Sequence, residues 1–219
     1  SETTRKKLEK LFNIDAYNSY GLSELNGPSV AFECVYKKDM HLWEDAYIVE
    51  IIDPVEGTVL EDGIQGEVIL TNLVRNAMPL LRYRTRDLAY LHKGKCLCGR
   101  THRRLSRIQG RTDDMLIING VNVFPSQIEE VIMSVPQVGT NYLIVLDKVG
   151  ALDRLTVNVE IYSKMFTGDA SEIDSLKAKI TELLKASITI SPVVKLHEPG
   201  FLPVSQGKAK RVEDNRTKI

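Results

Sequence analysis

Gly110-Arg-Thr-Asp-Asp-Met-Leu-Ile-Ile-Asn-Gly-Val-Asn-Val-Phe-Pro125 is the stretch on which the predicted fold depends. Two short apolar runs, Met115 to Ile118 and Val121 to Phe124, flank Asn119-Gly120. Asn-Gly between such runs is the strongest short-range signal for a β-hairpin. The segment Ser106 to Asp114 is rich in charge and poor in apolar residues, as is typical of a domain boundary. We therefore predict a hairpin and, just before it, a boundary between two domains.

Downstream of this hairpin, helical and strand-like patterns alternate. Ser126 followed by Glu129 is a capping-box pattern, which predicts a helix that begins near Ser126. Strand-like runs follow at Tyr142 to Leu146 and at Leu155 to Ile161. Residues 110–219 are therefore predicted to form an α+β domain. Each helix has an apolar face, made of Ile128, Val131, Ile132 and Val135 in the first and of Ile173, Leu176, Ile180, Leu183 and Leu184 in the second.

The upstream part is rich in β-strand patterns. Tyr47 to Ile52 and Glu67 to Thr71 are typical of strands, and Asp53-Pro54 and Asp62-Gly63 mark turns. We expect residues 1–109 to form a small barrel or a curled sheet. The predicted fold class is α+β, with a β-rich, barrel-like subdomain followed by a smaller α+β domain.

Composition argues against several classes of function. Lys plus Arg and Asp plus Glu both number 29, so no overall positive field would attract nucleic acid or an anionic membrane. The apolar runs are too short to cross a bilayer, and the first segment does not resemble a secretory signal. Three cysteines, two of them in Cys96-Leu97-Cys98, suit metal ligation better than disulfides and favour a cytoplasmic location. The chain also starts without an opening element, as a cut through a larger protein would.

Four separated segments together carry a family resemblance. They are the stretch quoted above, Tyr20-Gly-Leu-Ser-Glu24, Arg82-Tyr-Arg-Thr-Arg-Asp87 and Leu202-Pro-Val-Ser-Gln-Gly-Lys-Ala-Lys-Arg211. Together they resemble the motifs of adenylate-forming acyl-CoA synthetases, and of phenylacetate-CoA ligases in particular. The resemblance covers nearly the whole chain and corresponds to the C-terminal half of such an enzyme. It implies that residues 1–109 end a large N-terminal domain and that residues 110–219 are a small mobile domain.

The resemblance assigns the first segment to nucleotide binding. Tyr20 would stack on adenine, and Gly21 would let the backbone approach the nucleotide. Ser23 would hydrogen-bond a phosphate, and Glu24 would give an oxygen ligand to magnesium. A tight turn with a buried tyrosine is the alternative explanation of these residues.

Two further residues are assigned to AMP by the same resemblance. Asp87 would hold both ribose hydroxyls, because a carboxylate can accept two hydrogen bonds from a vicinal diol. Arg111 would contact the ribose or the phosphate. Arg86 stands where many relatives have glycine, a departure familiar from phenylacetate-CoA ligases. A basic strand rim that makes only surface ion pairs is the alternative.

The resemblance also implies a set of catalytic and moving parts. Asp113 would be the pivot of the small domain, and Gly120 would lie where the pantetheine arm of CoA enters, because a Cβ there would obstruct the arm. Lys208 is the catalytic candidate, since its ammonium group can neutralise charge that develops during adenylation. Close relatives often have arginine in place of Asn119. A plain linker with a hairpin, and a solvated basic tail around Lys208, are the alternatives.

The enzyme implied by the resemblance would activate a carboxylic acid with Mg·ATP, release pyrophosphate, and pass the acyl group from AMP to the thiol of coenzyme A. Phenylacetate is suggested by the subfamily, and another aryl or short-chain acid would fit equally well. No Ser/Thr/Gly-rich phosphate loop ending in lysine occurs in this sequence, so the chain alone is expected to be inactive. A homodimer is left open. The rival hypothesis is a non-catalytic, zinc-stabilised nucleotide-binding module.

Cys34, His41, Cys96 and Cys98 form a candidate zinc site. They are good zinc ligands in a Cys-x₆-His and Cys-x-Cys arrangement. His102 is the substitute ligand if His41 faces elsewhere. Several relatives that carry these cysteines resemble zinc proteins, and others lack them, so such a zinc would be structural. The alternative is three reduced thiols.

Overall fold

The computed structural model describes residues 2–25, 27–92, 94–163, 170–204 and 210–216 of the chain. The chain divides into two compact units. We call Glu9–Asp114 the β-rich unit, and Met115–Ile219 together with Ser1–Leu8 the α+β unit. Helix α1 (Glu2–Phe12) begins the described part of the chain, so the prediction of a start without an opening element is wrong.

The β-rich unit contains two antiparallel sheets. One sheet has the order β1-β2-β3-β8-β7, and the other has the order β4-β5-β6-β9. Both strands predicted in this part are confirmed as β4 and β5. The strands are β1 (Ser19–Leu22), β2 (Gly27–Glu33), β3 (Met40–Leu42), β4 (Tyr47–Ile52), β5 (Gly66–Asn72), β6 (Tyr83–Ala89), β7 (Leu91–His92), β8 (Arg104–Leu105) and β9 (Gly110–Arg111).

One apolar core stabilises this unit. Side chains from both sheets contribute to it, including Val30 and Leu105 from the first sheet and Val68 and Leu70 from the second, all of them fully buried. Full burial of one such side chain stabilises the fold by about 2 kcal/mol. Every residue of β5 is buried, including the polar residues Glu67, Thr71 and Asn72 that flank its apolar centre.

The predicted β-rich character of this unit is confirmed, but the described strands do not close into the small barrel that was one of the two predicted arrangements. Within the described residues the two sheets are open, with β1 and β7 at the edges of one and β4 and β9 at the edges of the other. Apolar alternation shows which side of a strand is buried, but it does not show which strands pair. The sheets form instead through long-range pairs such as Met40 with Leu105.

The α+β unit begins with the predicted hairpin. Strand β10 (Leu116–Ile118) pairs with β11 (Val121–Val123), and Asn119 and Gly120 connect them. A four-stranded sheet of order β14-β13-β12-β15 follows, with α2 before β12 and α3 between β13 and β14 in the chain. The predicted α+β character is confirmed. The remaining elements are α2 (Pro125–Ser134), β12 (Val138–Val149), β13 (Leu152–Ile161), α3 (Ala170–Ile188), β14 (Val193–His197) and β15 (Val212–Asp214).

Both helices of this unit share one core with the sheet. Ile128 and Ile132 of α2 and Ile180 and Leu184 of α3 are fully buried in a cluster with the inward residues of β12 and β13. The amphipathic patterns predicted for α2 and α3 are therefore confirmed, except that Leu183, predicted on the apolar face of α3, is exposed. No helix in the described ranges combines the length and the apolar character needed to span a membrane.

Helix α2 begins in a different way from that predicted. The helix starts at Pro125, with Phe124 as its N-cap residue, so Ser126 lies inside the first turn. The backbone N–H of Phe124 donates to Oε1 of Gln127 at 2.9 Å. Glu129 instead accepts a hydrogen bond from the hydroxyl of Tyr142 at 2.9 Å. Proline is favoured at the first helical position because its missing N–H would have no partner there.

Candidate functional site

A buried carboxylate, Asp87 on β6, is the centre of the candidate nucleotide site. Strand β6 pairs with β9 so that Asp87 lies directly opposite Arg111. Nη1 of Arg111 donates to Asp87 Oδ1 at 3.1 Å, and the hydroxyl of Tyr20 donates to Asp87 Oδ2 at 2.7 Å. Three segments that are far apart in sequence thus meet at one carboxylate. Each carboxylate oxygen can accept a second hydrogen bond, so Asp87 retains capacity for a ligand hydroxyl.

The second charge pair of the cluster lies nearer the surface. Nε and Nη2 of Arg111 donate to Oδ1 and Oδ2 of Asp113 at 2.9 Å and 3.0 Å. The side chain of Asp113 is 52% exposed, whereas that of Asp87 is 9% exposed. Arg111 therefore connects a buried carboxylate to an exposed one. Such bidentate pairing fixes the plane of the guanidinium.

The protonation states of the cluster follow from these contacts. Burial raises the pKa of Tyr20 well above its usual range, and the hydrogen bond to Asp87 raises it further, so Tyr20 remains a neutral donor. The hydrogen bonds from Arg111 lower the pKa of Asp113. Tyr20 is thus a fixed donor to Asp87, and Arg111 and Asp113 form a charged pair.

The other residues of the first motif lie beside this cluster in the sequence. Gly21 lies on β1, where the pairing with β2 is irregular, and Ser23 and Glu24 are exposed in the turn that follows. The backbone carbonyl of Glu24 accepts a hydrogen bond from Arg75. Tyr20 is only 8% exposed, and its stacking on adenine stays a prediction, as do the phosphate and magnesium contacts.

Arg86 has an unusual backbone conformation. Its φ is +68°, in the left-handed region that favours glycine. The carbonyl of Arg86 accepts a hydrogen bond from the backbone N–H of Thr112 at 2.7 Å. The glycine that many relatives have at this position therefore has a conformational explanation.

The turn that contains Gly120 is exposed. Gly120 has a φ of +83°, and no described atom would lie within 4 Å of a Cβ added there. The conformation of the turn therefore explains the glycine without any ligand. Passage of a pantetheine arm stays a prediction. The catalytic candidate Lys208 lies outside the described residues.

The four predicted zinc ligands come together in the β-rich unit. Their ligand atoms all lie within 4.8 Å of one another. Sγ of Cys34 is 3.6 Å from Sγ of Cys96, and Sγ of Cys98 is 3.4 Å from Nε2 of His41. A tetrahedral zinc with bonds of about 2.3 Å to sulfur separates its sulfur ligands by about 3.8 Å. The distance between the sulfurs of Cys34 and Cys96 is close to that spacing and is too long for a disulfide.

The surroundings of this cluster favour the ligand forms of His41 and Cys98, whereas burial raises the pKa of Cys34 and opposes its thiolate form. Burial lowers the pKa of His41, and the nearby Arg100 and Arg104 charges lower it further, so the imidazole is neutral. A hydrogen bond from the backbone of Arg100 lowers the pKa of Cys98 to about 7. His41 is buried within the cluster, whereas His102, the proposed substitute, is exposed and is not among the four grouped residues.

Sequence reasoning missed two residues of a network around the hairpin turn. Asp153 and Arg216 both bind to this turn or to its flanking strand, although they lie far from it in sequence. Neither residue belongs to a recognisable motif. An Asp and an Arg separated by sixty-three positions give no local signal, so only the fold could reveal them.

Comparison with known proteins relates these sites to a family. Residues 120–216 match the family of the AMP-binding enzyme C-terminal domain. The whole chain is 45% identical to the phenylacetate-coenzyme A ligase of Aromatoleum evansii and covers 50% of that protein. The chain is thus homologous to about half of a phenylacetate-coenzyme A ligase. A second relative, the phenylacetate-coenzyme A ligase of Thermus thermophilus, is 40% identical over 99% of this chain and 52% of its own length.

Solved structures of CoA ligases agree with this similarity. The chain is similar to 2-hydroxyisobutyryl-CoA ligase in the postadenylation state in complex with R3-HIB-AMP, with a TM-score of 0.89 and 25% identity. The match covers 98% of this chain and 46% of that one. The chain therefore has the fold of adenylate-forming enzymes and spans about half the length of the relatives it matches.

Proposed function

We propose that this chain is the C-terminal part of an AMP-forming acid-CoA ligase. The observation that carries the proposal is that Tyr20 and Arg111 both donate hydrogen bonds to the buried carboxylate of Asp87. These residues come from separate motifs that the resemblance assigns to AMP. The similarity to phenylacetate-coenzyme A ligases over the entire chain supports the same reaction class.

The proposed reaction has two steps. In the first, a carboxylate oxygen of the acid bonds to the α-phosphorus of ATP and pyrophosphate leaves. In the second, the sulfur of CoA bonds to the acyl carbon, the carbon–oxygen bond to AMP breaks, and the thiol proton is released to solvent. Both steps need precise orientation of two substrates, which contributes a large part of the acceleration of two-substrate reactions.

The residues of the β-rich unit would bind the nucleotide. Asp87 would accept hydrogen bonds from the ribose hydroxyls, oriented by the donors Tyr20 and Arg111. Glu24 would give one oxygen to Mg²⁺, an ion that proteins commonly hold through one or two carboxylates together with substrate phosphates. The exposed position of Glu24 is compatible with that role.

The residues that follow would act in different steps. Asp113 would be the hinge between a domain of residues 1–109 and a small domain of residues 110–219. Lys208 would stabilise charge during adenylation, and the Gly120 turn would admit the pantetheine arm during thioester formation. Such a division of labour requires a hinge motion between the two steps.

The proposed location is the cytoplasm, because none of the three cysteines forms a disulfide.

Phenylacetate is the first acid to test. The test uses the full-length parent protein with Mg·ATP, CoA and a panel of aryl and short-chain acids. We expect acid-dependent release of pyrophosphate and a thioester product from the parent protein, and neither from the 219-residue chain alone. Absence of pyrophosphate release with every acid would contradict the proposal.

We also propose that Cys34, His41, Cys96 and Cys98 hold a structural zinc ion. The proposal is supported by the distances among the four ligand atoms and by the burial of three of the residues. A four-ligand site leaves no open position for substrate, so zinc would cross-link the β-rich unit and take no part in catalysis.

A non-catalytic, zinc-stabilised nucleotide-binding module is the second candidate. The same Asp87 cluster and cysteine cluster would support it, because neither cluster requires turnover. The pyrophosphate assay separates the two candidates. A parent protein that binds AMP and zinc but activates no acid would favour the module.

A further inference from the structure

The turn between β10 and β11 is a two-residue turn with both residues left-handed. Asn119 has a φ of +49° and Gly120 a φ of +83°. Two consecutive left-handed residues are the pattern of a type I′ turn, in which Asn-Gly is strongly preferred. Each strand of this hairpin has only three residues. Such a short hairpin has little cohesion of its own, so its tip needs further contacts to stay ordered.

Those contacts come from Asp153, at the beginning of β13. Nδ2 of Asn119 donates to the carbonyl of Asp153 at 2.9 Å, and the backbone N–H of Asp153 donates to Oδ1 of Asn119 at 2.8 Å. The backbone N–H of Asn119 also donates to Oδ2 of Asp153 at 3.2 Å. Three hydrogen bonds therefore join one turn residue to one strand residue.

Arg216 completes the network from the opposite side. Its Nη1 donates to Oδ2 of Asp153 at 2.9 Å and to the carbonyl of Ile117 on β10. Its Nε and Nη2 donate to Oδ1 and Oδ2 of Asp214 at 2.9 Å and 2.7 Å. The side chains of Arg216 and Asp153 are 20% and 15% exposed, so solvent screens this pair less than a surface ion pair.

We propose that Asn119, Asp153 and Arg216 form a clamp that positions the Gly120 turn for thioester formation. This inference rests on the proposed function, in which the pantetheine arm passes the turn. The clamp holds the backbone that leads into Gly120, through Asn119 and through Ile117, and leaves Gly120 itself uncovered. A fixed edge beside an open glycine is what a narrow thiol-bearing arm needs in order to reach the acyl carbon in one orientation.

The clamp also gives a reason for asparagine at position 119. Asparagine tolerates the left-handed region better than most residues, and its side chain carries both a donor and an acceptor. Both groups are used here, one on the carbonyl and one on the N–H of Asp153. An arginine at this position could donate to the carbonyl, but it has no acceptor for the N–H.

The first test measures hydrogen exchange in the 219-residue chain. Arg216→Ala removes the guanidinium without altering the turn, and Asn119→Gly removes the side-chain contacts while keeping the left-handed backbone. In both variants we expect at least tenfold faster exchange of the backbone amides at 117–121, with little change along β12. Asn158→Ala is the control, because it breaks a 3.0 Å bond to His197 in the same unit but does not touch the clamp.

The clamp proposal would be overturned if the amides at 117–121 exchanged at the wild-type rate in Arg216→Ala. It would also be overturned if their exchange were accelerated equally in the Asn158→Ala control. This readout does not depend on activity, so it stands even if the proposed function fails.

The second test separates positioning from general stability in the parent protein. Wild type and variants are assayed for pyrophosphate release with phenylacetate and for thioester formation from supplied phenylacetyl-AMP and CoA. A positioning role predicts a 10- to 100-fold lower kcat for the thioester step in Arg216→Ala, an unchanged adenylation rate, and partial recovery in Arg216→Lys. Equal losses in both steps, or no loss in the thioester step, would overturn the positioning role. A wild type without either step would instead contradict the proposed function.

Discussion

At the residue scale, the hydroxyl of Tyr20 makes the shortest contact to the buried Asp87 carboxylate. Tyr20→Phe removes this bond and leaves a buried charge with one donor fewer. Because hydrogen bonds to charged groups contribute more than neutral ones, we expect the free energy of unfolding to fall by about 2 kcal/mol. Urea denaturation of the chain at pH 7 measures this change.

The matched control for that change is Tyr47→Phe. The hydroxyl of Tyr47 is also buried in the β-rich unit, but it donates to a neutral acceptor, the carbonyl of Leu25, at 3.1 Å. Its loss should cost about 1 kcal/mol. If Tyr20→Phe lowers the free energy of unfolding no more than Tyr47→Phe does, the hydrogen bond from Tyr20 to Asp87 contributes no more than a bond to a neutral acceptor.

Arg86 permits a test of backbone strain, because its φ of +68° suits glycine. Arg86→Ala and Arg86→Gly lose the same guanidinium, but only glycine relieves the left-handed conformation. We expect the glycine variant to be more stable than the alanine variant by about 1 kcal/mol in urea denaturation. Arg84, two residues earlier on β6, has no positive φ, so alanine should be the more stable substitution there. The same order at both positions would contradict the strain argument.

At the element scale, Glu160 of β13 fixes the start of the C-terminal segment. Its Oε1 accepts hydrogen bonds from the backbone N–H of Leu202 at 2.8 Å and from Asn141 at 3.1 Å. Burial opposes ionisation, but these bonds and one from Gly200 outweigh it and lower the pKa of Glu160. A lowered pKa contributes stability above the unfolded value of about 4.3, and this contribution is lost as the pH falls through the folded pKa.

Glu160→Gln should therefore destabilise the chain at pH 7 and change its acid response. We expect the difference in unfolding free energy between wild type and variant to shrink as the pH is lowered from 7 to 3. Urea denaturation across this range measures it, with the exposed Glu213→Gln as control. A difference that stays constant with pH would mean that the charge of Glu160 is not what anchors the segment.

Two elements of the small domain are expected to serve different half-reactions. In the parent protein, Lys208→Ala should lower adenylation by about 100-fold, on the scale of one lost charge-stabilising donor, and spare thioester formation from supplied acyl-AMP. Gly120→Ile should show the reverse. Gly150→Ile is the matched control, because Gly150 is also left-handed and has no described atom within 4 Å of an added Cβ. Equal loss of both steps in either variant would contradict the assignment.

At the scale of the whole molecule, local patterns predicted more than long-range pairing. The Asn119-Gly120 turn, the strands β4 and β5, and the amphipathic faces of α2 and α3 all follow from periodicity and turn chemistry. The open sheets do not, because the pairing of β3 with β8 joins segments more than sixty residues apart. No local pattern specifies such a partner.

In the candidate sites, too, the sequence predicted individual residues but not the long-range contacts between them. Tyr20, Asp87 and Arg111 could be proposed because each lies in a motif, and the four zinc ligands because their side-chain chemistry is distinctive. The bond between Tyr20 and Asp87, and the clamp of Asp153 and Arg216, could not be proposed. Both depend on side chains that meet only after the sheets have formed.

The proposed zinc would stabilise the β-rich unit as a whole, because it would connect Cys34 and Cys96, which lie sixty-two residues apart in the sequence. Metal analysis of protein purified without added metal should give about one zinc per chain. Cys96→Ser should release the metal and lower the free energy of unfolding by about 3 kcal/mol, the scale of a cross-link that closes a long loop. A zinc chelator should produce a similar loss in wild type and little further loss in the variant.

His102→Ala is the control for this prediction, because His102 is exposed and lies outside the four-residue cluster. It should retain zinc and wild-type stability, whereas His41→Ala should lose both. In the parent protein, Cys96→Ser should affect thermal stability more than the rate of adenylation, because a closed four-ligand site offers no position to a substrate. Metal-free protein whose stability is indifferent to chelator and to Cys96→Ser would leave three reduced thiols in a packed cluster. The ligase proposal would still stand in that case, because it depends on Asp87 and its partners, none of which is a zinc ligand.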